Sequence, residues 1–165
     1  VENELFTIDT GHLIGDERAA ASGRNKATRE LCRAYLDSGL RLLGRRNMEL
    51  ALEHTEEAIR LARNNGDRLG EGAGFGRLGN ILYCWEETEQ ALGCYERALH
   101  IARETGGKTA EGYLLFNIGL AWDALDERAQ AVRYVSAALR VLEQSEDAGT
   151  DHVRAQLTQW QKEAI

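Results

Sequence analysis

Residues able to do chemistry are spread along this chain, and their spacing decides what each could do. Gly74-Phe75-Gly76-Arg77-Leu78-Gly79 has the literal G-x-G-x-x-G spacing of a loop that cradles phosphate. That chemistry needs an apolar strand before the glycines, a helix after them and an acidic residue near the ribose. The preceding Arg63-Asn64-Asn65 reads instead as the polar end of a helix, so no dinucleotide site is expected. His12, His54, His100 and His152 form no H-E-x-x-H or comparable ligand set, which predicts solvated helix-face residues and no metal. Glu86 and Glu87 fall at a helix start, where the macrodipole favours acids without any catalysis. No nucleophile has a plausible base and orienting partner. The expectation is a protein that is not an enzyme and carries no cofactor.

Composition narrows the partners. Of 165 residues, 43% are hydrophobic and 28% charged, the balance of a folded soluble chain. The net charge of -7 disfavours a nucleic-acid surface, which needs clustered Lys and Arg. No apolar run is long enough to cross a bilayer and no signal-peptide pattern opens the chain, so no membrane is expected either. Cys32, Cys84 and Cys94 are odd in number and lack metal-ligand spacing, which points to reduced thiols in a cytoplasmic setting. Position 1 is Val, and the expectation is a fragment or processed chain excised from a larger signalling protein.

What must position any site is an internal repeat. The stretch Phe75-x-x-Leu78-Gly79-x-x-Leu82, then Ala91-x-x-x-Tyr95-x-x-Ala98, returns on a shift of 40 residues. Gly79 falls on Gly39 and Gly119, Ala91 on Ala51 and Ala131, and Ala98 on Ala58 and Ala138. Fixed-period self-similarity of this kind means stacked supersecondary units, none of which buries its apolar face alone. Leu31, Ala34, Tyr35, Ser38, Leu42 and Leu43 recur at three and four residues, the spacing of one helix face. The same pattern predicts helix pairs near 69–85 and 88–104, then 109–125 and 128–144, uninterrupted because proline is absent. After a turn three residues longer than its predecessors, Val153, Leu157 and Trp160 predict the buried side of a capping helix over 151–164. Gly79 is placed where helices cross closely, whereas Gly70 is expected to accept Ala.

These residues resemble the tetratricopeptide repeat, whose pattern is W-x-x-L-G-x-x-Y followed by A-x-x-x-F and a closing Pro. The middle unit matches with Phe75, Leu78, Gly79, Leu82, Ala91, Tyr95 and Ala98. The third offers Leu115, Ile118, Gly119, Trp122, Ala131, Val135 and Ala138, and the first Tyr35, Ser38, Gly39, Leu42, Ala51, Thr55 and Ala58. Arg63, Arg103 and Glu143 stand where the family has Pro, and the period is 40 rather than 34. That long variant resembles arrays in spindle-orientation adaptors and bacterial signalling ATPases. HEAT and armadillo repeats share the period but lack this Gly and Ala spacing.

The resemblance covers about residues 26 to 165 and implies an all-α, right-handed α-solenoid: repeats at about 32–71, 72–111 and 112–150, with the cap after them. It also implies a concave groove that binds a peptide or helix of a protein partner. Carried over by position, the first unit contributes Arg33, Leu36, Asp37 and Leu40. The middle unit contributes Ala73, Gly76, Arg77, Asn80 and Tyr83. The third contributes Tyr113, Phe116, Asn117, Leu120 and Asp123. The alternative is an assembly or regulatory module that contacts its own chain or forms a homo-oligomer. Residues 1–25 stand outside the repeat, as either a frayed terminus or an arm. Glu4-Leu5-Phe6-Thr7-Ile8 has the form of an extended ligand for that groove.

Overall fold

The computed structural model describes residues 23–44 and 47–163, and side chains within them from Thr28 onward with the exception of 29, 40–44 and 163. Among the described residues there are seven helices and no strand. They are α1 (Gly23–Gly44), α2 (Met48–Asn64), α3 (Arg68–Cys84), α4 (Thr88–Thr105), α5 (Lys108–Ala124), α6 (Arg128–Gln144) and α7 (Thr150–Glu163). The 3.6-residue periodicity places the middle helices to within a residue or so. Helices pair as hairpins α1–α2, α3–α4 and α5–α6, and each hairpin packs on the next, with α7 against α6. The chain is an all-α solenoid.

The turns repeat every 20 residues, half the period seen in the sequence. Left-handed residues occur at Gly66, Glu86, Gly106, Asp126 and Glu146. In each turn the next N–H donates to the carbonyl five residues back. Asp67 bonds to Ala62 at 2.9 Å, Glu87 to Leu82 at 2.9 Å, Gly107 to Ala102 at 2.8 Å, Glu127 to Trp122 at 2.9 Å and Asp147 to Leu142 at 3.2 Å. This Schellman bond satisfies a carbonyl that the helix end would otherwise strand. Glycine supplies the left-handed residue at two of the five turns. The other three hold an acidic residue there, at a cost of roughly 1–2 kcal/mol each.

Hairpins close through the glycines. A Cβ at Gly39 would lie 2.7 Å from Thr55 Oγ1, one at Gly79 2.5 Å from Tyr95 Cε1, and one at Gly119 2.5 Å from Val135 Cγ2. The second helix thus pushes its aromatic-position side chain into a notch on the first. All six register alanines are buried beside it. Gly72, Gly74 and Gly112 are filled in the same way by Ile101, Ile59 and Leu142. Gly70 overturns its expectation. Its N–H donates to Asp67 Oδ1 at 3.0 Å, the N-cap of α3. A Cβ there would stand 2.6 Å from the same carboxylate, so Ala disturbs the cap.

Ion-pair clasps join the units at the positions where the motif has proline. Arg63 Nε donates to Glu71 Oε1 at 2.7 Å, and Arg68 Nη1 to Glu71 Oε2 at 2.6 Å. Forty residues on, Arg103 and Lys108 hold Glu111 in the same way at 2.8 and 2.9 Å. The third junction inverts the signs, with Arg154 donating to Glu143 at 2.9 Å and to Asp151 at 2.6 Å. Both central glutamates are buried. Burial penalises the Glu111 charge, but the hydrogen bonds from Arg103 and Lys108 outweigh it and hold the carboxyl below its usual range.

Two measurements check this packing. Gly79→Leu should destabilise the fold by about 1–3 kcal/mol through overpacking. Gly93→Ala, on an exposed helix position with nothing within 4 Å, should stabilise by about 0.5–1 kcal/mol. Equal urea midpoints for the two variants would contradict the notch. Because the Glu111 carboxyl is lowered in the folded state, its contribution is present above its unfolded value of about 4.5 and lost as pH falls below it. Glu111→Gln should therefore cost about 1–3 kcal/mol at pH 7 and flatten the acid limb of the stability–pH curve.

Candidate interaction surface

The residues carried over to the groove lie on the first helices, α1, α3 and α5, at positions one turn apart. Their burial divides them. Leu36, Ala73, Gly76, Arg77, Asn80, Phe116, Asn117 and Leu120 are buried. Asp37, Tyr83, Tyr113 and Asp123 are half-buried, and Arg33 is exposed. Leu40 belongs to α1, but its side chain falls outside those described.

The structure brings the polar members together across hairpins. Asn80 Oδ1 accepts from Tyr95 Oη at 2.8 Å and from Asn117 Nδ2 at 3.2 Å. One carbonyl oxygen therefore ties α3 to its own hairpin partner and to the next hairpin. Burial pushes the Tyr95 hydroxyl pKa far above its ordinary value, so it stays a donor at any working pH. Towards the first unit, Arg77 faces Asp37 at 3.8 Å. At the far edge Asp123 takes a 2.9 Å ion pair from Arg128, whose guanidinium lies 4.8 Å from the Trp160 ring centroid. Tyr113 turns to the lengthened junction instead. Its hydroxyl donates to Asp147, and Gly149 leaves room for the ring. Burial, with the Asp147 charge behind it, pushes that phenol up to about 12.

The Tyr95–Asn80 bond and the Arg128–Trp160 stack escaped the sequence reading. Tyr95 occupies an ordinary motif position, and only its alignment opposite Asn80 reveals the bond. The histidines also depart from expectation. His54 Nδ1 pairs with Ser38 Oγ at 2.9 Å and meets the Tyr35 ring edge-on. His152 sets its ring edge against Phe116, with centroids 5.6 Å apart. His100 is exposed, as expected, and His12 lies outside the described residues.

The glycine motif lies inside α3, where no loop exists to cradle phosphate. Cys32, Cys84 and Cys94 are free thiols. Burial raises all three, Cys32 to about 11 with the Asp67 charge adding to the effect, which disfavours the reactive thiolate. Among the described residues no group of three His, Cys, Asp or Glu side chains is suited to a metal ion. No described helix is long and apolar enough to cross a membrane. On the opposite surface Phe75 carries Arg63 and Arg97, their guanidinium carbons 5.0 and 5.4 Å from the ring centroid.

No family model matches the chain, and no curated protein matches it in sequence. Solved structures share its fold. The apo form of RapI superposes with a TM-score of 0.75 at 18% identity over 82% of this chain, which spans only 50% of RapI. The TPR domain of Arabidopsis FLU gives a TM-score of 0.66 at 18% identity, covering 71% of this chain and 98% of that one. The N-terminal domain of stress-induced protein-1 from C. elegans gives 0.63 at 17% identity, covering 82% and 98%. The chain thus has the tetratricopeptide-repeat fold that its glycine and alanine register resembles.

The asparagine bridge has a measurable weight. Asn80→Leu should destabilise by about 1–3 kcal/mol, because it leaves the buried Tyr95 hydroxyl without its acceptor. Adding Tyr95→Phe should recover part of that loss. A double-mutant cycle with no coupling between the two sites would contradict the bond.

Proposed function

We propose that this chain is a non-catalytic protein-interaction module whose concave face, carried by α1, α3 and α5, takes a peptide or helix of a protein partner. The observation that carries the reading is the row of polar side chains crossing hairpin boundaries on that face, from Asp37 and Arg77 to Asn80 and Asn117. Held by the hairpins behind it, such a row is preformed, so little ordering entropy remains to be lost on binding. Tyr83 and Asp123, half-buried at the C-terminal ends of α3 and α5, and exposed Arg33 on α1 are the positions a ligand would meet first. The shared fold supports this use. A cytoplasmic scaffold in a signalling protein is the setting this reading fits.

A second reading is favoured by the depth at which the inner residues are buried. It is a regulatory module whose concave face is engaged by its own chain or by a second copy.

Linear peptides selected by phage display against the full chain would test the first reading. Selected peptides should lose about tenfold or more in affinity on Tyr83→Ala or Asp123→Lys, since anchors of this kind are worth over 1 kcal/mol. They should be unaffected by Glu96→Lys on the exposed side of α4. Selection of peptides sensitive only to Glu96→Lys would place the partner elsewhere and overturn the proposal.

A further inference from the structure

A second groove runs along the outer side of the array. Helices α2 and α4 both pack on α3 and hardly touch each other, which leaves a channel between them. Its floor is apolar: Ile59, Phe75 and Ile101 are buried, and Leu78 is half-buried. Two adjoining hollows of about 260 and 530 Å³ share Arg63, Phe75 and Arg97. The α4 wall is cut away at Gly93, an exposed position with nothing within 4 Å of where a Cβ would stand.

Two cations converge on this floor. The guanidinium carbons of Arg63 and Arg97 lie 5.0 and 5.4 Å from the Phe75 ring centroid. The two charges are therefore within about 10 Å of each other, a Debye length at ~0.1 M salt, and they repel. Arg63 is partly neutralised by Glu71. Among the described residues no carboxylate pairs with Arg97, which is exposed. In a chain of net charge -7 this is an uncompensated cation beside apolar surface. Low dielectric on one side strengthens its pull on an incoming anion. Glu56 and Glu96 line the two hollows and disfavour a strongly acidic ligand. The fit is one carboxylate between apolar side chains.

The repeat provides an internal comparison. Forty residues on, Leu115 stands for Phe75, Arg133 for Gly93 and Ala137 for Arg97. The channel between α4 and α6 thus lacks the aromatic floor, the open wall and the second cation, although Arg103 repeats Arg63. Stacking of the hairpins demands none of the three features, so they belong to the channel between α2 and α4 alone.

We propose that this channel is a second docking site, for a protein segment presenting one Asp or Glu flanked by apolar side chains. The carboxylate pairs with Arg97 and with the N–H groups that Arg63 does not give to Glu71, in the forked geometry that guanidinium favours. Its apolar neighbours cover Phe75 and Leu78. The site lies on the opposite surface from the concave face and is independent of what that face binds.

Linear peptides displayed on phage and selected against the full chain are the probe. Arg97→Ala removes an exposed side chain and installs the residue that the third unit carries there. One class of selected peptides should carry a single acid between apolar residues and lose about tenfold or more in affinity on Arg97→Ala. Binding of that class should weaken as salt is raised and tighten on Glu96→Lys. Replacing the peptide's acid by its amide should cost as much in the wild type and little more in Arg97→Ala, the coupling expected of a direct pair. A selection that yields no Arg97-dependent peptide would overturn the proposal, as would Arg97-dependent peptides whose acid is dispensable. If the selected peptides respond to Tyr83→Ala and never to Arg97→Ala, the channel falls and the concave-face reading stands. If they respond to Arg97→Ala and never to Tyr83→Ala or Asp123→Lys, the concave-face reading falls and the channel stands.

Discussion

Everything in this array depends on how closely the two helices of a hairpin approach. At 8–10 Å between axes, one large side chain at the crossing decides whether the pair closes. Here the first helix gives up its side chain altogether at Gly39, Gly79 and Gly119. The second helix fills the gap with Thr55, Tyr95 or Val135. The filler differs in size and chemistry from unit to unit, and the notch does not. Closing the hairpin buries the alanines beside the notch. A notch on the first helix and small residues on the second are therefore one constraint seen from two sides.

Once hairpins close, their order along the array has to be held, and charge contributes to that. Arg63 and Arg103 reach forward eight residues to a buried glutamate that a second cation also holds. A buried carboxylate with two partners avoids the desolvation cost that a single partner would leave. At the last junction the pattern becomes acid, arginine, acid, so α7 is held by charges of the opposite sign from those that hold α3 and α5. The turns that carry these clasps share one backbone form, whether the left-handed residue is Gly or Glu. The Schellman bond and the packing on either side over-determine the turn, and the residue tolerates the strain.

The same economy shapes the inner face. Asn80 and Asn117 were expected to serve a ligand; in the structure they bond within the array. One asparagine oxygen accepts from Tyr95 behind it and from Asn117 beside it. A face built in this way is rigid before anything binds. Tyr83 and Asp123 at its edge are half-buried, and Arg33 is exposed.

Fold class, the middle helices and the crossing glycines were legible in the sequence, because helical periodicity and small-residue register are local or strictly periodic signals. The 3.6-residue spacing placed α3 to α6, and the 40-residue shift pointed to Gly79 before its contact with Tyr95 was known. Other features have no local signature. Arg63 at a missing proline looks like a departure from the motif until the backbone turn sets it beside Glu71. Gly70 looks like a helix defect until Asp67 folds back over it as a cap. The burial of Phe116 and Asn117 was likewise invisible, since helix spacing gives the stripe a residue lies on and not what packs against it. Partners separated by eight, fifteen or thirty-seven residues are chosen by the crossing geometry. Sequence spacing sets which face of a helix a residue occupies, and only the stacked hairpins decide what stands opposite that face.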